Sequence, residues 1–235
     1  MSFIKNLDSN KKIKLEKCTI DSFPAPEQFD DSFLEDNDDI FRIAYIDLET
    51  TGLDLETNEI IEIAIKLVEY SKSTGKLLKA VAKYENFNDP STYLDDKIIK
   101  ITGITREDVF NQKIDWNVVG NIISNANIIV AHNASFDRPV LEKYFKTYKV
   151  WACSQKDINW YDRGFLKENL EILSIWHGFY YDAHRAMNDV NATINLLSHK
   201  SYDNDEKNPV LELIENSVNP HYIIVNQFPY NTVHI

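Results

Sequence analysis

Cysteine is nearly absent: the 235 residues hold only Cys18 and Cys153. Two thiols so far apart provide neither a disulfide framework nor zinc-ligand spacing, and the expectation is a pair of reduced thiols in a cytoplasmic protein. Long apolar runs are missing too. No stretch approaches the ~18 residues a membrane helix needs, and Met1-Ser2-Phe3-Ile4-Lys5 lacks the apolar core of a signal peptide. Positive charge is scarce, with 25 Lys and Arg against 37 Asp and Glu, a formal net charge of −12. That excludes a protein that grips polyanions by bulk electrostatics. It does not exclude a site built from carboxylates and divalent cations, which brings its own positive charge. Internal repeats are lacking, and Asp36-Asn37-Asp38-Asp39 is not a calcium-binding loop, which needs alternating acids, a glycine and a distal Glu.

What is present suits one folded domain with appendages. Apolar residues make up 43% and aromatics 12%, enough to bury a core. Residues 1–40 read as a mobile leader, lysine-rich at first and acidic afterwards, with no chemistry assigned. From Phe41 the pattern tightens. Arg42–Leu48, Ile61–Val68 and Lys76–Tyr84 are predicted strands, the last two joined by a hairpin at Ser73-Thr74-Gly75. A helix over Trp116–Ile123, a buried strand over Asn127–Ala131 and a helix beginning near Ser135 follow. A strand near Val150–Cys153 and helices around Leu170–Trp176 and Ala186–Leu197 complete the domain. Three strands, then strands alternating with helices, make an α/β domain with a mixed sheet. Ser201–Pro209 reads as a linker, with Val210–Ile214 and Tyr222–Val225 as a small C-terminal extra.

In so acidic a chain a carboxylate is informative only where it interrupts apolar structure. Asp47 and Glu49 stand two residues apart at a strand's end, and period two sends both to one face. An unpaired charge beside a core strand is costly, although the pair alone also fits a solvated strand end. Asp137, in Ala131-His132-Asn133-Ala134-Ser135-Phe136-Asp137, falls in the first turn of a helix, where the helix dipole by itself favours an acid. His184 and Asp189 are five residues apart, about 140° on a regular helix at 3.6 residues per turn. They converge only if His184 lies at or before the first turn, a start that Asp182 or its neighbours are placed to cap.

Together these segments resemble the DEDDh 3′–5′ exonuclease superfamily, which includes polymerase proofreading subunits, oligoribonuclease and ribonuclease T. Its D-x-E-[TS]-x-G motif is met by Asp47-Leu48-Glu49-Thr50-Thr51-Gly52, and its H-N-x-x-F-D motif by His132 to Asp137. Its H-x4-D motif is met by His184 to Asp189, followed by Ala192-Thr193. Asp96 to Asp108, with Ile101-Thr102-Gly103-Ile104-Thr105, is similar to the segment that connects the first two motifs. The sibling subgroup places Tyr four residues before the last Asp; here Arg185 stands there. The resemblance runs from about Arg42 to His199 and marks 41–200 as the exonuclease domain, with 201–235 as linker and extension.

The resemblance implies a ribonuclease H-like fold, a five-stranded mixed sheet flanked by helices. It implies Asp47, Glu49, Asp137 and Asp189 as ligands of two divalent cations, Mg²⁺ or Mn²⁺, whose charges the four carboxylates balance. Asp47 would bridge the two ions and His184 would be the general base. Thr50, Thr51, Gly52, Leu53, His132 and Asn133 would bind the terminal nucleotide, with Leu53 against a base and Asn133 helping to shape the second-motif loop. The implied partner is the 3′ end of a single nucleic-acid strand, DNA in preference to RNA, with a polymerase or repair protein as a further partner. RNA trimming is the nearest alternative, since discrimination rests on contacts to the 2′-OH. Lys97, Lys100, Arg106, Arg138 and Lys143 are the nearest cations for a strand's approach path.

Overall fold

A computed structural model of the chain describes residues 14–19, 22–27, 34, 37–203 and 208–218. Its centre is a five-stranded sheet in the order β4-β3-β2-β5-β6. The strands are β2 (Ile40–Thr50), β3 (Ile60–Ser71), β4 (Leu77–Phe87), β5 (Ile128–Ala131) and β6 (Val150–Cys153). β3 runs antiparallel to both β2 and β4, and β5 and β6 run parallel to β2. This is the expected mixed sheet. The β3–β4 hairpin turns at Gly75, whose φ of +68° suits glycine, and a Cβ there would lie 2.5 Å from the Asn208 side chain.

Helices cover both faces. Ala44, Ile46 and Leu48 of β2 point into a core shared with α3 (Trp116–Ser124) and α4 (Ala134–Tyr144). Ile43 and Tyr45 point the other way, into a core shared with α5 (Leu170–Trp176), α6 (Ala186–Leu197) and α7 (Pro209–Val218). By the same alternation Asp47 and Glu49 face the α6 side. The alternation of Ile61–Val68 suggests a strand with a solvated face, but all twelve residues of β3 are buried. Its charges are matched internally: Lys66 donates to the Asn191 side chain of α6 at 2.6 Å and to the Phe23 carbonyl at 2.8 Å.

The connecting segment folds as two short helices, α1 (Asp96–Thr102) and α2 (Arg106–Val109). Gly103 in the left-handed region ends α1, and a Thr105–Asp108 capping box starts α2. Both are too short for their period to show in the sequence. Part of the expected mobile leader is packed instead: β1 (Glu16–Lys17) pairs in parallel with β7 (Phe179–Tyr180), and Cys18 is buried in the α6-side core. Val210, Leu213 and Ile214 join that same core. Most of the leader's acidic run and Tyr222–Val225 lie outside the described residues. Among the described residues no helix is long and apolar enough to cross a membrane.

Candidate active site

The site forms where β2 ends. Asp47 and Glu49 leave the strand on one face, and α6 crosses that face with Asp189 in its first turn. Asp47, Glu49 and Asp189 each offer a carboxylate oxygen, and these atoms lie within 4.8 Å of one another. Asp137 comes from the other side of the sheet, in the first turn of α4, which begins directly after β5. It is buried, and its Oδ1 accepts from the Leu48 N–H at 3.2 Å, which fixes it against the strand between the other two acids.

Burial is the largest cause raising each of these pKa values. Asp47 is pushed well above the ordinary carboxylate range by burial, then by the charges of Asp189, Asp137 and Glu49. Burial and the neighbouring acids raise Glu49 to about 8. Burial raises Asp137 to about 8 against the opposing hydrogen bond from Leu48. Asp189 rises to about 6, burial outweighing the hydrogen bonds that it accepts. Among the described residues no salt bridge reaches any of the four. A partly buried, oxygen-only donor set of this kind suits hard divalent cations.

His184 precedes α6, as convergence required. It is exposed and has φ of +65°. Its backbone N–H donates to Asp189 Oδ2 at 2.9 Å, and the Arg185 N–H donates to the same oxygen at 3.3 Å. The capping expected of Asp182 or its neighbours does not occur. Asp182 pairs with Lys17, and Arg185 occupies the cap position with no side-chain cap.

The turn after the strand is internally braced. Thr50 Oγ1 donates to the Gly52 carbonyl at 2.7 Å, and Thr51 Oγ1 accepts from the Glu59 N–H at 3.0 Å. Leu53 beyond them is 84% exposed. Asn133 adopts φ of +87° between β5 and α4, and its side chain accepts from the Ser135 hydroxyl. His132 turns inward. Its Nδ1 bonds the Ser154 hydroxyl at 2.9 Å and its Nε2 the Glu168 carbonyl at 2.8 Å, and burial lowers its pKa to about 4. Neither ring nitrogen is left for a substrate; the side chain ties the end of β5 to the chain ahead of α5.

Of the cations placed along an approach path, Arg106 pairs with Asp89, Arg138 with Glu142, and Lys143 donates to Asn58. Two residues not singled out in the sequence also stand at the site. Tyr181 donates its hydroxyl to Asp189 Oδ1 at 3.1 Å, and Glu62 of β3 binds the guanidinium of Arg185. The signal for Glu62 was an acid inside Ile60-Ile61-Glu62-Ile63, which period two alone assigns to a solvated face.

The fold and this arrangement define an α/β protein of the ribonuclease H-like class. A family model described as exonuclease matches residues 44–197. The chain belongs to that exonuclease family, within the DEDDh 3′–5′ exonuclease superfamily. It is 38% identical to the PolC-type DNA polymerase III of Thermotoga maritima over 118 residues, 49% of this chain but 8% of that protein. It is 29% identical to DNA polymerase III subunit epsilon of Aquifex aeolicus over 160 residues, 64% of this chain and 76% of that one. The chain thus spans less than a tenth of its PolC-type relative. The solved structure of E. coli Exonuclease I in complex with a dA16 oligonucleotide superposes with a TM-score of 0.57 at 18% identity. It covers 79% of this chain and 45% of that one, a likeness of fold.

Proposed function

We propose that the chain removes nucleotides from the 3′ end of single-stranded DNA by hydrolysis, releasing nucleoside 5′-monophosphates. The observation that carries this reading is the trio of carboxylate oxygens within 4.8 Å at the end of β2, with Asp137 buried beside them and an exposed His184 on the adjoining segment. Asp47, Glu49, Asp137 and Asp189 are the residues that would hold two divalent cations, Mg²⁺ or Mn²⁺. Bound there, such ions neutralise the anionic phosphodiester and make water a nucleophile near neutral pH. His184 takes the proton of the attacking water on an imidazole nitrogen. Leu53 lies against the terminal base, with the braced Thr50–Gly52 backbone closing over the sugar and phosphate. Asn133 and His132 hold the loop that carries Asp137.

The hydrolytic domain in this proposal is 41–200, with β1 and α7 packed on it. Two relatives are named for DNA polymerase III, and the Exonuclease I structure holds a deoxyadenosine strand. These names favour DNA over RNA and a polymerase as partner.

The test is degradation of matched single-stranded DNA, single-stranded RNA and duplex DNA, each 5′-end-labelled, with Mg²⁺. The expected result is a ladder shortening from the 3′ end, with single-stranded DNA fastest and mononucleotides as product. RNA degraded faster than DNA would move the substrate to RNA. Internal fragments without a 3′ ladder would refute the exonuclease reading.

A further inference from the structure

Glu62 stands directly opposite Glu49 in the β2–β3 ladder, on the face that α6 covers, and is 3% exposed. A fifth carboxylate beside four unpaired ones is costly to bury, yet this one is fully matched. The Arg185 guanidinium donates to it through Nη2 at 2.9 Å and Nε at 3.2 Å, and the Ala186 N–H donates to its other oxygen at 2.9 Å. Arg185 also lies over the Phe87 ring, 5.4 Å from its centroid. Arg185 and Ala186 immediately follow His184, whose left-handed backbone is uncommon for a residue with a Cβ and persists only where the surroundings over-determine it. On its other side that segment is held by Asp189, through two N–H donors. Asp189 is also one of the proposed metal ligands, so its grip is shared with the cations.

We infer that Glu62 and Arg185 form a positioning pair that fixes the His184 peptide and thereby aims its imidazole at the carboxylate cluster, touching neither metal nor substrate. Glu62 lies outside the trio whose oxygens converge. Its oxygens are therefore not shared with that trio. The inference rests on the reading of His184 as the base.

The test is a double-mutant cycle on the full chain with Mg²⁺, reading kcat, KM and calorimetric metal affinity. Glu62→Gln keeps the shape and one acceptor but loses the charge. It is expected to lower kcat about 10–100-fold with KM and metal affinity changed less than about threefold. In a His184→Ala background the same substitution is expected to cost less than about twofold, because the pair acts through the imidazole. An equal loss in both backgrounds, a wild-type kcat in the single variant, or metal affinity falling in step with kcat would overturn the inference. If Glu62→Gln does not fold, Arg185→Ala on the half-exposed partner runs the same cycle with the same criteria. His184→Ala turning over at the wild-type rate is a separate outcome: it removes the base itself, and the pair's role with it.

Discussion

Replacing Glu49 with glutamine is expected to stabilise the metal-free protein and abolish its gain from Mg²⁺. Glu49 ordinarily titrates at 4.5, but burial and the surrounding acids raise it to about 8 in the fold. An acid with a raised folded pKa opposes folding above its unfolded pKa, because the folded state must either keep a proton or carry a repelled charge. Below about pH 4.5 both states hold the proton and the cost vanishes. It grows as pH rises and is complete above about 8. At pH 7 the carboxyl stands about 2.5 pH units above its unfolded value, about 3 kcal/mol at 1.36 kcal/mol per unit. A buried amide carries its own desolvation cost of about 1–2 kcal/mol, leaving a net gain of about 1–2 kcal/mol. For a chain of this size that is a rise in Tm of about 3–6 °C. The assay is thermal unfolding of both proteins in EDTA at pH 4.5, 6, 7 and 8, then with Mg²⁺ at pH 7. The difference should open with pH. Saturating Mg²⁺ should reverse it, since a ligand at a hundred times its Kd adds about 2.7 kcal/mol to the protein that binds it. A variant less stable than wild type in EDTA at pH 8, or a gain independent of pH, refutes the picture of four mutually repelling carboxyls.

Asp47→Ala, Asp137→Ala and Asp189→Ala are each expected to reduce turnover to background while circular dichroism stays native; two of the three at wild-type rates would dismantle the site. His184→Ala is expected to lower kcat about 10²–10⁴-fold, the range of a lost general base, with calorimetric Mg²⁺ affinity changed much less. Loss of metal binding in that variant would make the imidazole a ligand. Degradation should be distributive, because a net charge of −12 and the pairing of Arg106 and Arg138 leave little to hold a strand between turnovers. Excess unlabelled strand added after the first turnovers should therefore stop degradation of labelled strands; labelled strands running to completion would reveal a basic channel. A circular single strand should resist, and its degradation as fast as a linear one would remove the requirement for an end.

Much of this protein was legible from one dimension. Strand period puts Asp47 and Glu49 on one face because successive Cβ atoms alternate, and that holds whatever packs above them. Helical period required His184 to precede α6 if it was to meet Asp189, and it does. Tertiary structure alone decided the rest. Glu62 and Lys66 alternate with apolar residues as a solvated face would, but α6 covers that face and supplies Arg185 and Asn191 to match them. Asp137 and Leu48 are 89 residues apart, and only the parallel pairing of β2 with β5 brings them into hydrogen-bond reach. His132 sits inside a catalytic-looking motif, yet both ring nitrogens bond groups 22 and 36 residues away. The polar leader offered no period to read, and β1 forms because the short strand β7 has an edge to pair, with Cys18 carried into the core beside it. Local spacing determines which side chains can share a face; which faces are covered, and by which partners, is decided by contacts distant in the chain.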